Sequence, residues 1–492
     1  MIRLAAALAA LVAGNASGEL QREVRELIAS AALGDAVAGV VVAELTPGGS
    51  EVRVDLNGDL ALGPASNMKL VTTAAALDLL GEGFAFETTL SLLPAGDRAP
   101  SLLVRGSGDP GFGDPPLLEA AGETPAGVVA RWVEAVRATG RTRFATLRMD
   151  DAIFDAQRVH PDWPADQQAY WYCAEVAGIN FNDNCIDVRR EPGPEPGAPA
   201  VLHFFPSFPG LAAQATNETV TGESDTFDFS RPADRNAFSF TGVVDGPGLD
   251  YAAVHDPALF FGRHLAHELA EAGVGVGEVV RGGAPAGVVP ESLGVVRTTL
   301  AGVLDRTNRN SQNLFAEALL KRMGREAAGE PGSFANGSAA VRSYLARVLP
   351  EADLSGVVVA DGSGLARTNR LTARLLVGLL DRVTRLPPAE ARTYRESLAE
   401  LGRSGTLRHR GEGVRTARVF AKTGTISGVS ALSGYLVTPA TEEAAERVHA
   451  FSMLFNGFAP PVSTRDVRRV QDEVLALLDR RLAPAATPAE SP

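Results

Sequence analysis

Apolar residues recur along this chain at two different periods, and the period changes twice. Leu20, Val24, Leu27, Ile28 and Ala31 follow the 3.6-residue spacing of a helix with one apolar stripe. Residues 38–45 and 51–56 then read as strands, joined by the turn Pro47-Gly-Gly-Ser50. Met68, Leu70, Ala74, Leu77 and Leu80 return to near-helical spacing behind Gly63-Pro-Ala-Ser66, which predicts a buried helix starting close to Ser66. From about residue 88 short alternating strands (88–93, 101–105, 144–149) are separated by turns rich in Gly, Asp and Pro. A helix over 126–139, mostly β and turn over 200–254, and a helix over 256–273 complete that stretch. Near residue 292 the first texture returns. It brings a helix from Leu314, a helix over 338–348, a strand over 356–360 and a helix over 371–383. Strands over 418–425, 430–437 and 448–455 follow, and a last helix carries Val467, Val470, Val474, Leu477 and Leu482 on one side.

Two strands at one end and three at the other, with helices between them, predict an α+β domain. Its core is an antiparallel five-stranded sheet with helices on both faces. The expected organisation is a catalytic domain of 19–87 and 292–482, interrupted by a large, mostly-β inserted region over 88–291 with room for two nested subdomains. Residues 483–492, rich in Ala and Pro, read as a frayed tail. Met1–Gly18 places one arginine before an apolar run and ends in small residues, the pattern of a secretory signal. Export to the periplasm or the exterior is therefore expected. No later stretch reaches about eighteen uninterrupted apolar residues, so no transmembrane segment is expected in the mature chain.

Composition narrows the function classes. The net charge of −13 lacks the basic face that nucleic acid requires. Cys173 and Cys185 form no metal-ligand pattern; they read as a disulfide or as two buried thiols. His264 and His267 lie three apart on a predicted helix with no third ligand, and read as surface or boundary residues. No metal, nucleotide or flavin motif is present, so no cofactor is expected.

The candidate chemistry begins at Ser66-x-x-Lys69. At a helix start this spacing puts a hydroxyl and an amine on one face. The amine can take the hydroxyl proton, and free N–H groups of the first turn can hold an oxyanion. For Lys69 to act as a base, burial or a neighbouring cation must lower its pKa. The alternative is an ordinary N-cap serine followed by a solvated lysine. Two later motifs decide between them: Ser311-x-Asn313 ahead of a helix, and Lys422-Thr423-Gly424 on a strand.

These three motifs, in this order, are the signature of the serine penicillin-recognising enzymes. The separation of 245 positions from Ser66 to Ser311 exceeds what a compact β-lactamase core requires. The chain thus resembles the class C low-molecular-mass penicillin-binding proteins, the penicillin-binding protein 4 type of D-alanyl-D-alanine carboxypeptidase/endopeptidase. Gly106-Ser-Gly-Asp-Pro110, Asp150-Asp-Ala-Ile-Phe154, Asn180-Phe-Asn-Asp-Asn184, Asp361-Gly-Ser-Gly-Leu365 and Lys422-Thr-Gly-Thr-Ile-Ser-Gly-Val429 extend the resemblance over residues 20–480. It implies a β-lactamase/transpeptidase-like catalytic domain, peptidoglycan stem peptides as substrate and β-lactam antibiotics as covalent inhibitors. It also implies roles. Ser66 is the nucleophile and Lys69 its base. Ser311 relays a proton to the leaving amine, Asn313 bonds the substrate peptide, and Lys422 supplies positive charge beside Ser311. Thr423 and Thr425, around Gly424, bind the terminal carboxylate, and the N–H groups of Ser66 and Thr425 form the oxyanion hole. Asp150, with Phe154 and Arg367, would contact the diaminopimelate side chain. Gln312 stands where the family often has Asp. A β-lactamase or esterase of the same fold, and a non-catalytic cell-wall scaffold, are the competing readings. No glutamate motif for fast deacylation supports the first, and the intact motif set speaks against the second. The oligomeric state is not legible.

Overall fold

The computed structural model describes residues 18–96, 99–440 and 445–482. Residues 1–17 of the expected signal segment, and the 483–492 tail, lie outside the described residues. Among those described, no helix is long and apolar enough to cross a membrane.

The strand Val429–Thr438 is buried along its whole length and on both faces, its mostly apolar residues interrupted by the small polar Ser430 and Ser433. It lies within a sheet of β1 (Val37–Thr46), β2 (Gly49–Leu56), β3 (Ala399–Glu400), β4 (Arg418–Ile426), β5 (Val429–Thr438) and β6 (Arg447–Asn456), in the spatial order β3-β4-β5-β6-β1-β2. All neighbours are antiparallel. Five strands are those expected from the pattern. The sixth, β3, is a two-residue edge strand too short to show any alternation. The expected strand over 356–360 does not form. Its pairing stops at a single bridge between Val358 and Arg370, with no further register to extend it.

Alternation assigns the faces. Leu432 and Leu436 of β5, Val419 and Ala421 of β4, and Phe451, Met453 and Phe455 of β6 point to one side. There they join Leu20 and Val24 of α1 (residues 18–30) and Val467, Val470 and Val474 of α4 (Thr464–Leu482). On the other face lie α2 (Met68–Leu80) and α3 (Ala373–Thr384). Tyr435 of β5 donates from its buried hydroxyl to the Leu380 carbonyl of α3 at 2.9 Å. Lys422 and Gly424 therefore share the α2 face of β4, while Thr423 and Thr425 share the α4 face.

By compactness the chain forms two units. Met1–Glu82, Leu304–Gln312 and Ser338–Pro492 make the first, and Gly83–Val303 with Asn313–Gly337 the second. The sequence pattern placed the helix Asn313–Ala328 in the catalytic domain, yet it is counted with the inserted segment. Lys321 of that helix is fully buried, and its ammonium is satisfied from the inserted segment, by Asp155 at 2.7 Å and the Gln157 carbonyl at 2.5 Å. The second unit has its own mixed five-stranded sheet, in the order 275–281, 143–150, 101–106, 85–93, 291–299. Helices Pro125–Arg137 and Pro257–Glu271 cover it through Val128, Trp132, Phe261 and Leu265. A separate apolar cluster contains Ile186, Phe238 and Phe240. His264, expected at the surface, is buried with Nδ1 3.0 Å from the Ser207 carbonyl. It lies on the apolar side of its helix, and burial lowers its pKa. Both cysteines are free and buried.

One buried group makes this fold acid-sensitive. His449 of β6 is fully buried, and among the described residues neither ring nitrogen has a hydrogen-bond partner. Burial holds its pKa down, from 6.5 to about 4, against the opposing pull of Glu44 at 3.8 Å. Between these values the unfolded chain takes up a proton that the folded chain refuses, so stability falls as pH drops from about 6.5 to about 4. The loss is roughly 3 kcal/mol. Glu44, held by Arg447 and Arg53 and lowered to about 2, extends the decline below about 4.5. Urea midpoints at pH 7, 5.5 and 4 will track this fall, and His449→Leu will flatten the upper part of it.

Candidate active site

Ser66 sits in a single 3₁₀ turn, Ala65–Asn67, that feeds directly into α2. It is not a cap: Asn67 holds that position, without a side-chain cap bond. The turn is fixed by its neighbours. The Gly63 N–H donates to Asn456 Oδ1 (2.7 Å), and the Asn456 amide returns a bond to the Gly63 carbonyl (3.0 Å). Ala65 is left-handed at φ +44°, a conformation that costs a side-chain-bearing residue energy and persists only where its surroundings impose it. Asn67 donates to the Lys422 carbonyl of β4 (2.9 Å) and accepts from Ser433 of β5 (2.6 Å), tying the turn to two strands.

One turn into the helix, Lys69 is fully buried. Its Nζ lies 3.1 Å from Ser66 Oγ and 2.9 Å from the Ser363 carbonyl. The second contact comes from the tight turn Asp361-Gly-Ser-Gly-Leu. Asp361 accepts from the Gly364 and Ala366 N–H groups and from Asn369 at 2.6–2.8 Å. Gly364 adopts φ +85°, and a Cβ there would fall 1.8 Å from the Ala65 carbonyl. The turn therefore rests directly on the Ser66 backbone.

On β4, Lys422 is also fully buried. Its Nζ contacts Ser311 Oγ at 2.9 Å and the Thr423 carbonyl at 2.8 Å. Burial drives its pKa well below the ordinary lysine value, and the charge of Lys69 pushes the same way. Ser311 itself is left-handed, φ +62°. Gly424 explains its own identity. A Cβ there would meet the Pro64 carbonyl at 2.8 Å and the Ser66 and Asn67 nitrogens at 3.0 and 3.1 Å, all backbone. Gly424→Ala must push β4 off the nucleophile turn. Acylation by penicillin will slow by about tenfold to a hundredfold with little loss of stability, as stopped-flow labelling beside a thermal melt will show.

The structure thus brings Ser66, Lys69, Ser311, Lys422 and Gly424 together within the first unit. Thr423 and Thr425 occupy the α4 face of the same strand: Thr423 bonds Thr406 (2.8 Å) and Thr425 accepts from Arg468 (3.1 Å). Arg367 donates to the Ser427 carbonyl (3.3 Å) beside a cavity of about 320 Å³ lined by Ala65, Ile426 and Val429. Asn313, Asp150 and Phe154 belong to the second unit. There Asn313 donates to the Tyr172 carbonyl (2.7 Å), and Asp150 is paired with Arg105 (2.8 Å). Phe154 is buried against Gly108, where a Cβ would lie 2.3 Å from its ring.

The family model for the D-Ala-D-Ala carboxypeptidase 3 (S13) family matches residues 20–481. The chain belongs to that family. This S13 chain is 34% identical over 470 residues to the D-alanyl-D-alanine carboxypeptidase of Actinomadura sp. (strain R39), covering 90% of this chain and 82% of that protein. It is 22% identical to the D-alanyl-D-alanine carboxypeptidase DacB of Haemophilus influenzae over 83% and 84% of the two chains. Its fold is that of penicillin binding protein 4 from H. influenzae. The TM-score is 0.75 at 20% identity, with 94% of this chain and 99% of that one covered. That protein is also known in complex with a novel β-lactam. As an S13 member the chain is a serine-type carboxypeptidase.

The S13 chain also contains positioning residues that its motifs did not announce. Ser363 acts through its carbonyl, so its side-chain identity carries no signal. Asn67 reads as a helix-start residue until the strands it ties are in place. Asn308, in the segment before Ser311, is buried between α2 and the end of the helix Pro388–Ser397, donating to Thr73 (3.1 Å) and Ser397 (2.8 Å). Two stretches with no assigned chemistry prove to interlock. Asn180 donates to the Asp109 carbonyl (3.1 Å), and Asp109, fully buried, has its carboxyl raised to about 7 by burial. Asn182, Asp183 and Asn184 are all left-handed, which Asn and Asp tolerate better than other side-chain-bearing residues.

Proposed function

We propose that this protein removes the terminal D-alanine of peptidoglycan stem peptides through an acyl-enzyme on Ser66. The observation that carries the proposal is the pair of buried lysines, each on a serine hydroxyl: Lys69 on Ser66 at 3.1 Å and Lys422 on Ser311 at 2.9 Å. Lys69 Nζ takes the Ser66 proton as Oγ bonds to the carbonyl carbon of the penultimate D-Ala. The N–H groups of Ser66 and Thr425 hold the oxyanion. Collapse breaks the C–N bond, and Ser311, beside Lys422, delivers a proton to the departing amine. The proton held by Lys69 replaces the one Ser311 gave up, which leaves Lys69 neutral again. Water then attacks the ester carbonyl, Lys69 takes a proton from that water, and the proton passes to Ser66 Oγ as the ester C–O bond breaks. Two buried ammonium groups that repel each other favour a state in which one amine is neutral and able to act as a base.

Among the described residues β4 pairs with β3 only as far as Ala421, so Lys422–Ile426 keeps one edge without a strand partner. An extended stem peptide fits such an edge. The terminal carboxylate goes to Thr423 and Thr425. The roles of Asn313, Asp150, Phe154 and Arg367, including the contact with diaminopimelate, rest on the motifs that carry them; Asp150 would share its carboxylate with Arg105. Hydrolysis of D-Ala–diaminopimelate cross-links uses the same chemistry with a larger leaving amine. β-lactams acylate Ser66 because their strained amide presents the same carbonyl. This substrate lies outside the cytoplasmic membrane, in keeping with the signal pattern of Met1–Gly18.

The test is direct. After incubation with a penicillin, mass spectrometry of a digest must place the adduct on the peptide containing Ser66. A diaminopimelate pentapeptide must release D-alanine. An adduct without D-alanine release would support a binding role, rapid turnover of the penicillin a β-lactamase, and no adduct at all would overturn the nucleophile assignment.

A further inference from the structure

The α4 face of the Lys422-Thr-Gly-Thr strand carries a cation that no motif assigns. Arg468 of α4 donates from Nη2 to Thr425 Oγ1 at 3.1 Å. It is one of five arginines lining a cavity of about 610 Å³ that also holds three carboxylates. Two of the other four arginines are paired with carboxylates. Arg410 is paired with Asp472 at 2.9 Å, and Arg469 reaches Glu473 at 3.9 Å and Asp466 at 4.0 Å. Among the described residues Arg468 has no carboxylate within 4.0 Å; a neutral hydroxyl holds it.

Geometry explains why this matters. Thr423 and Thr425 are two residues apart on β4 and face the same side, toward α4. Lys422, fully buried on the opposite face, is engaged with Ser311 and the Thr423 carbonyl. A carboxylate bound by the two threonine hydroxyls would meet only neutral donors unless a cation stands on their own side. Arg468 is that cation, already bonded to one of the two hydroxyls. A threonine hydroxyl that accepts from arginine turns its own proton outward, so the pair Arg468–Thr425 presents one O–H and further guanidinium N–H donors to an anion.

We propose that Arg468 is a specificity-determining residue that recognises the free α-carboxylate of the leaving group, acting with Thr423 and Thr425. This inference rests on the DD-peptidase reading of the site. It accounts for discrimination between a chain end and an internal peptide bond whose leaving side has no carboxylate. It applies equally to the terminal D-Ala and to a cross-link whose leaving amine bears an α-carboxylate.

The experiment compares two substrates that differ only at that group: a pentapeptide ending in D-Ala-D-Ala with a free carboxylate, and its C-terminal amide. For Arg468→Gln, kcat/KM on the free acid will fall by about 10- to 100-fold, mainly through KM. Turnover of the amide will change little, so the acid-to-amide ratio collapses. Arg468→Lys will restore part of that ratio. Arg469→Gln, which removes an equal charge from the same cavity, will leave it intact. A parallel fall on both substrates, or no fall on either, would overturn the assignment, since a structural role cannot distinguish acid from amide. If the wild-type protein hydrolyses neither substrate, the DD-peptidase reading itself fails, and this inference with it.

Discussion

Ser66→Ala will eliminate covalent labelling by penicillin and will lower D-alanine release by a factor on the order of 10⁴–10⁶. No other hydroxyl can substitute. Ser311 is committed to Lys422 at 2.9 Å, and Ser363 presents its carbonyl, not its hydroxyl, to Lys69. The folded state will hardly notice the change. The 3₁₀ turn is held through Gly63, Asn67 and Gly364, none of which depends on the Ser66 side chain, and Lys69 keeps the Ser363 carbonyl. The thermal midpoint will move by no more than about 2 °C. A gel showing fluorescent penicillin on wild type and none on Ser66→Ala, at matching melts, is the expected record. Residual labelling of the variant would show that the nucleophile lies elsewhere.

Lys69→Met will slow acylation by about 10²–10⁴-fold, the range that a general base commonly supplies. Methionine keeps most of the volume and the unbranched shape, so packing inside α2 survives. Stability will hold or rise, because a fully buried ammonium is costly to desolvate and an apolar replacement of similar size removes that cost. The substitution has a second consequence. The charge of Lys69 is part of what depresses the Lys422 pKa, so removing it moves Lys422 back toward its ordinary value, although burial still holds it down. The variant should therefore label slowly, melt no lower than wild type and show an altered pH profile. A variant that melts much lower would instead mean that Lys69 serves the fold.

The two predictions together separate chemistry from scaffolding, and they follow from different kinds of information. Ser66-x-x-Lys69 could be read without coordinates, because three residues is less than one helical turn and local geometry brings the groups together. The same holds for the faces of β4. Alternation alone assigns Lys422 and Gly424 to one side and Thr423 and Thr425 to the other, and the register of Arg418–Ile426 against Val429–Thr438 agrees.

What local pattern does not carry is the identity of a partner hundreds of residues away. The 356–360 segment is rich in valine like a strand, but its pairing stops at one bridge, so no strand forms. His264 sits on an amphipathic helix, and only packing decided that it faces inward. The helix after Ser311 has the same apolar pattern whichever unit it packs in; the buried Lys321, held by Asp155 and Gln157, is what ties it to the second.

The sequence by itself determined that Ser66 and Lys69 share one helical turn, which residues of β4 share a face, and the strand-and-helix core on which they stand. Each of these depends on spacings shorter than one element. Tertiary structure alone decided that the Ser363 carbonyl holds Lys69, that Asn67 ties the nucleophile turn to β4 and β5, and that Arg468 stands over Thr425. Those contacts join positions dozens to hundreds of residues apart, and two of them involve backbone atoms that every residue possesses. The packing of α2 and α4 on opposite faces of one sheet creates them, and no periodicity along the chain records it.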